Sequence, residues 1–101
     1  MSNIDWIART DTVGVRINTL EPGQATPWHF HTQVTDTVFG LDQTVTIRRR
    51  DPERTVTLDP GQRHDIAPGQ IHQVANQTAR PLRYLLIQAT GVYDFNVVAG
   101  E

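Results

Sequence analysis

The chain has 101 residues, of which 38% are hydrophobic and 20% charged, a balance that suits one globular domain and argues against disorder. A net charge of -2 and a pI near 6.0 exclude the basic footprint that nucleic acid requires, and no Lys/Arg stripe with interleaved aromatics occurs. There is no cysteine, which excludes disulfides, thiolate ligands, zinc-finger sites and a thiol nucleophile, so histidine and carboxylate must carry any metal chemistry.

Taken in chain order, the expected elements are almost all β. The start, MSNIDWIART, has no basic stretch followed by an apolar run, and no window of about eighteen apolar residues occurs, so the chain reads as soluble and cytoplasmic without a membrane partner. Residues 4–9 read as a helical turn at most. Residues 12–20 alternate Val13, Val15 and Ile17 with Gly14, Arg16 and Asn18, the pattern of a half-buried strand that ends at the turn Glu21-Pro22-Gly23. Strands follow at 28–31, 37–39 and 44–50, and Asp51-Pro52-Glu53 turns the last of these into a hairpin with 55–58. After the break at Asp59-Pro60-Gly61 come strands at 63–66, 71–75, 82–89 and 93–98. Many short strands separated by Gly/Pro turns indicate a sandwich or barrel, and no internal repeat, low-complexity segment or linker divides the single domain.

His29 and His31 stand two apart on the strand 28–31, so both imidazoles point the same way, with Cα atoms about 6.6 Å apart, a bite that suits one metal ion. Taken alone, such a pair is equally a solvated or hydrogen-bonded one. Asp36 follows after a turn or bulge, and His72, inside PGQIHQVAN, would return to the same place from an opposite sheet. Three imidazoles with or without a carboxylate make a site for a first-row divalent metal such as Fe, Mn, Ni, Cu or Zn.

The spacings extend beyond the histidines. The first stretch runs Gly23, five residues, His29-x-His31, four residues, Asp36, six residues, Gln43; the second runs Gly61, five residues, Ala67, Pro68, Gly69, two residues, His72, three residues, Asn76. These stretches, 23–43 and 61–76, resemble the two motifs of the cupin superfamily, G-x5-H-x-H-x3,4-E-x6-G and G-x5-P-x-G-x2-H-x3-N. The resemblance implies an all-β double-stranded β-helix, a cupin jelly-roll barrel, over the single domain 1–101. It also implies that His72 joins His29 and His31 as the third histidine ligand, with one divalent transition metal (Fe, Mn, Ni or Zn) as cofactor. Asp36 replaces the usual Glu, Gln43 the closing Gly, and Ala67 a Pro that is displaced to Pro68. The last two departures are turn chemistry, since Gly40-Leu41-Asp42-Gln43 and Pro68-Gly69 can each supply a turn. Aspartate, however, loses up to about 1.5 Å of reach by one bond, against a tolerance of about 0.2 Å in ligand distance. Asp36 is therefore expected to act through a bridging water, as an acceptor behind the histidines, or as a weak ligand.

Other residues have less specific expectations. His64 shares a face with Ile66 and either looks into the barrel beside the metal or bonds a backbone carbonyl, which makes it a pocket candidate rather than a ligand. Tyr84, Leu86 and Gln88 share one face of 82–89, and Tyr84 and Gln88 line a pocket if that face is the inner one. Asn76 reads as structural, and Arg48, Arg49 and Arg50 as a solvated hairpin end paired with Asp51 and Glu53. Trp28 and Phe30 are expected to pack between sheets or at a dimer contact. A chain this short buries only about 60 to 70% of its unfolded surface, so a homodimer is expected, with Ile4, Trp6 and Ile7 adding a strand to a partner's sheet edge. The function implied is a mononuclear metal-dependent enzyme acting on a small organic molecule, of dioxygenase or isomerase/tautomerase type. The alternative is a non-enzymatic module that binds or senses a small ligand or metal.

Overall fold

A computed structural model describes residues 3–99, and every regular element among them is a strand. The strands are β1 (Ile4–Arg9), β2 (Val13–Leu20), β3 (His29–Phe30), β4 (Thr35–Gly40), β5 (Val45–Arg49), β6 (Arg54–Leu58), β7 (Arg63–Ile66), β8 (His72–Ala75), β9 (Leu82–Ala89) and β10 (Asn96–Val97). They form two five-stranded antiparallel sheets, in the orders β1-β2-β9-β4-β7 and β10-β3-β8-β5-β6. From β2 to β10 the chain changes sheet at every connection except the β5–β6 hairpin. That alternation is the expected double-stranded β-helix.

Two elements depart from expectation. Residues 4–9 are an edge strand paired with β2 of the same chain, not a helical turn, which places Ile4, Trp6 and Ile7 at one edge of the first sheet. The last strand is confined to Asn96–Val97, because residues 91–95 are drawn off to cover one end of the barrel.

Three turns share one tetrapeptide, X-Pro-Gly-Gln, at residues 21–24, 59–62 and 67–70. In each, the Gln backbone N–H bonds the carbonyl of the first residue, at 2.9, 3.0 and 3.2 Å, and the glycine takes a φ of +81°, +87° or +82°. Proline at the second position and a left-handed glycine at the third are what a type II turn demands. In the first two turns the Gln side-chain oxygen also accepts the N–H of the first residue, at 2.8 Å. In the third, Gln70 Oε1 accepts from Arg49 instead (2.8 Å), and its amide donates to the Arg50 carbonyl. Gly40 serves a different purpose. A Cβ there would lie 2.6 Å from the Asp59 carbonyl oxygen, so it is required by close approach of the chain and not by a turn.

Inward-facing positions grade from polar to apolar along each strand. On β4 Asp36 is followed inward by Val38, on β8 His72 by Val74, and on β9 Gln88 is preceded by Leu86, Tyr84 and Leu82, all buried. The registers Asp36↔Gln88, Val38↔Leu86 and His29↔His72 align these gradients. One end of the barrel is thus an aliphatic core built from Val38, Val45, Ile47, Leu58, Ile66, Val74, Leu82, Tyr84 and Leu86. The other end is polar.

Strand β2 is inverted with respect to its hydrophobicity. Its register partners place Gly14, Arg16 and Asn18 opposite Gln88, Leu86 and Tyr84 on the inner face, while Val13, Val15 and Ile17 lie outside with Ile87 and Leu85. The hairpin arginines are also not paired with Asp51 or Glu53. Arg48 donates to Gln73 (3.1 Å), Arg49 to Gln70, and Arg50 to the Ala99 carbonyl (2.9 Å), with its guanidinium 4.1 Å from the Trp28 ring. Trp28 is consequently half-buried beneath Arg50 and not packed between the sheets.

Candidate metal centre

His29 lies on β3, His31 just beyond its end, His72 at the start of β8 and Asp36 in β4, and all four are buried. One candidate ligand atom from each lies within 4.8 Å of the others. His72 reaches the cluster from the strand next to β3 in the same sheet, not from the opposite one as its sequence position suggested. The residue that crosses from the opposite sheet is Asp36, carried there by the bend at residues 32–34.

Each imidazole is oriented by a backbone carbonyl. His29 Nδ1 donates to Pro27 (2.7 Å), His31 Nδ1 to Asp94 (2.5 Å) and His72 Nδ1 to Gln70 (2.8 Å). A carbonyl only accepts, so each Nδ1 carries the proton and each neutral ring presents a lone pair on Nε2. Asp36 Oδ2 lies 3.2 Å from His31 Nε2 and 3.0 Å from His72 Nε2, and its Oδ1 accepts from Gln88 (2.9 Å). Three lone pairs and a carboxylate oxygen therefore converge. Acceptors packed this closely repel unless a proton or a cation sits among them, and the donor set of imidazole with carboxylate fits a first-row divalent ion.

The electrostatics of the protein alone agree with that reading. Burial lowers the His29 pKa to about 4, aided by the neighbouring His72 and His31. Burial also opposes charge on His31, yet the Asp36 carboxylate and the Asp94 carbonyl outweigh it and raise its pKa. For Asp36 burial opposes ionisation, but the adjacent His31 and His72 and the Gln88 amide hold its carboxyl well below the usual range.

The cluster opens into a cavity of about 40 Å³, and a second cavity of about 120 Å³ shares Arg16 and Gln88 with it as walls. Tyr84 and Gln88, placed conditionally by the sequence, both face inward and line the first cavity. His64 does not. It points inward near a sheet edge, 3.3 Å from Arg49 Nη1, and neither joins the cluster nor lines its cavity. Phe95 stacks on His29 with ring centroids 4.5 Å apart, and Tyr93 lies 5.4 Å from His31, so residues 91–95 roof the site. Asp94 pins that roof by accepting from the Thr32 backbone N–H (2.8 Å) and hydroxyl. Asn76 is structural as expected: its amide donates to the Leu20 and Arg80 carbonyls, and its oxygen accepts from Thr78.

The sequence reading did not reach Arg16, Asn18, Tyr93 and Phe95. Alternation assigned Arg16 and Asn18 to the polar side of a half-buried strand, and nothing local marked that side as the inner one. The available signal was indirect. Arg16 and Asn18 fall opposite Leu86 and Tyr84 once β2 is paired with β9.

The sequence profile of the cupin domain matches residues 16–88, whereas no curated protein matches the chain significantly. Among solved structures, the chain is similar to an uncharacterized conserved protein with a double-stranded β-helix domain from Klebsiella pneumoniae, at 21% identity and a TM-score of 0.81, over 94% of this chain and 82% of that one. It is also similar in fold to the polyketide cyclase RemF from Streptomyces resistomycificus, at 21% identity and a TM-score of 0.75, over 91% of this chain and 64% of that one. Recombinant oxalate oxidase in complex with glycolate superposes with a TM-score of 0.77 at 13% identity, over 85% of this chain and 46% of that one. With the barrel topology, the two motif stretches and a profile match that spans most of the sequence, the chain belongs to the cupin domain family.

Proposed function

We propose that this cupin is a mononuclear metal-dependent enzyme acting on a small organic molecule, with His29, His31 and His72 holding the metal through Nε2. The observation that carries the reading is the commitment of all three Nδ1 protons to backbone carbonyls, which leaves three lone pairs aimed at one point. Asp36 is the weaker fourth donor: its Oδ2 stands 3.0 and 3.2 Å from two Nε2 atoms, close to the spacing of neighbouring donors that each lie about 2.1 Å from one ion. Gln88 fixes the other carboxylate oxygen, which compensates for the short reach of an aspartate by holding it in place. A divalent metal bound there supplies a Lewis-acid or redox centre for a small molecule, the chemistry of a dioxygenase or of an isomerase/tautomerase. Tyr93 and Phe95 keep water from the cluster, and the inner polar wall of β2 orients what enters.

Enzymes of similar fold, a polyketide cyclase and an oxalate oxidase crystallised with glycolate, support turnover of a small organic molecule as the use of such a site. A homodimer completes the proposal, supported by the aliphatic outer face of the first sheet. Elemental analysis of the protein loaded with Fe, Mn, Ni or Zn tests the metal, with about one ion per chain expected. Metal content unchanged in a His29→Ala/His72→Ala double variant would exclude the assignment. Loaded protein that binds organic ligands but turns none over, with Fe(II) and O2 or anaerobically with Mn or Zn, would make it a binding module instead.

A further inference from the structure

We infer that the cavity beside the histidine cluster takes a small organic acid, and that Arg16 recognises its carboxylate. The inference deepens the proposed function and rests on it only for what the other end of the ligand meets.

Arg16 is an inward-facing cation without a counter-ion. The ion pairs of the described residues are His31–Asp36, His72–Asp36, Arg63–Asp65 and Arg83–Asp42, and none involves Arg16. Its Nε is buried with no hydrogen-bond partner. The sole carboxylate lining the cluster's cavity is Asp36, whose Oδ2 already lies among the His31 and His72 Nε2 atoms and whose Oδ1 accepts from Gln88. Asp11 lines the outer cavity, but it is exposed and forms no ion pair with Arg16.

What holds the guanidinium in place is aromatic. Its centre stands 5.1 Å from the Trp6 ring and 5.8 Å from the Tyr93 ring. Ring faces fix the plane of a guanidinium without occupying its N–H edge, the edge that matches a carboxylate in two parallel hydrogen bonds. Beside it, Asn18 donates to the Tyr84 hydroxyl (3.1 Å) while its own side-chain oxygen is buried without a partner. A half-buried cation with a buried, unpaired Nε and an unsatisfied amide oxygen both cost stability, and together they describe a receptor for a molecule with one anionic end and a hydrogen-bond donor. Because Arg16 walls both the outer cavity and the one containing the histidines, an acid held by it extends toward the cluster. Cavities of about 120 and 40 Å³ suit a molecule of a few carbons or one ring, not a sugar chain or a nucleotide.

The test is calorimetric titration of the full metal-loaded chain with three acids and their neutral amides: pyruvate and pyruvamide, succinate and succinamide, 4-hydroxybenzoate and 4-hydroxybenzamide. At least one acid is expected to bind about 10- to 100-fold more tightly than its amide, the range of a charge-assisted hydrogen bond. Arg16→Gln is expected to abolish that preference and Arg16→Lys to keep part of it, with metal content per chain the same in all three proteins. Arg16→Gln is also expected to raise the melting temperature, since it removes an unpaired cation; an arginine with a merely structural role would lower it. Absence of any acid preference in the wild type, its survival in Arg16→Gln, or its loss together with a lowered melting temperature each overturns the inference. Acid preference in a protein that holds no metal would support it while removing the metal-enzyme reading.

Discussion

His29 and His72 are held in the same way, each ring giving its Nδ1 proton to the carbonyl two residues earlier, whereas His31 depends on the distant Asp94. Histidine outside the cluster behaves differently. Burial holds the His64 imidazole below its ordinary pKa, and the positive Arg49 and Arg54 add to the effect. In the fold its neutral Nε2 accepts from Arg49, so protonation both introduces like charge and destroys an acceptor. A base depressed on folding contributes stability that is fully present above its unfolded pKa and is lost as pH falls from about 6.5 toward the lower folded value. Replacing His64 by Gln, which keeps an acceptor but does not titrate, should therefore reduce the loss of stability between pH 7.5 and 5. Urea unfolding of both proteins at the two pH values measures this, and an identical acid loss would refute it. At this scale the four cluster residues were legible through the two stretches that resemble the cupin motifs, since His29-x-His31 alone shows only that two imidazoles share a strand face. Arg16 was not legible, since its role depends on which face of β2 meets β9.

Most strands could be read from alternation and most connections from Pro-Gly pairs, as the three X-Pro-Gly-Gln turns illustrate. Strand β1 escaped because IDWIAR alternates poorly and owes its conformation to pairing with β2, across a bulge between Trp6 and Ala8. The turns allow a controlled comparison. Gly69 and Gly23 have nearly equal φ, and a Cβ at either meets nothing within 4 Å, so alanine at each costs about the same, ~1–2 kcal/mol of left-handed strain. Their neighbours differ, however: Gly69 N–H donates to the His31 carbonyl (2.7 Å), whereas Gly23 N–H donates to Asn76 (3.0 Å). Gly69→Ala should accordingly weaken metal binding in a chelator competition as well as lower stability, and Gly23→Ala should lower stability alone. Equal metal affinities in the two variants would show that the turn does not position His31.

For the whole molecule, the first sheet presents Val15, Ile17, Leu85 and Ile87 on its outward face, half-buried by one another and by nothing from the second sheet. That face suits a second copy of the chain, so sedimentation at micromolar concentration should give a dimer mass, and Ile17→Glu should give a monomer. A monomeric wild type would contradict the homodimer. The same inversion bears on how the chain finds its fold. Sliding β2 by one residue against β9 would turn Val13, Val15 and Ile17 into the barrel and Arg16 out to solvent, a rearrangement that apolar burial by itself would reward. Burial therefore cannot be what sets this register. It must be set by polar and local terms: the Asn18–Tyr84 bond, the Glu21–Gln24 turn that fixes where β2 ends, and the fit of Trp6 over Gly14, where a Cβ would come within 3.2 Å of the indole. Along this strand the groups that favour the ligand-receiving arrangement oppose the hydrophobic gradient of the folding landscape, a local frustration of the kind that binding surfaces retain.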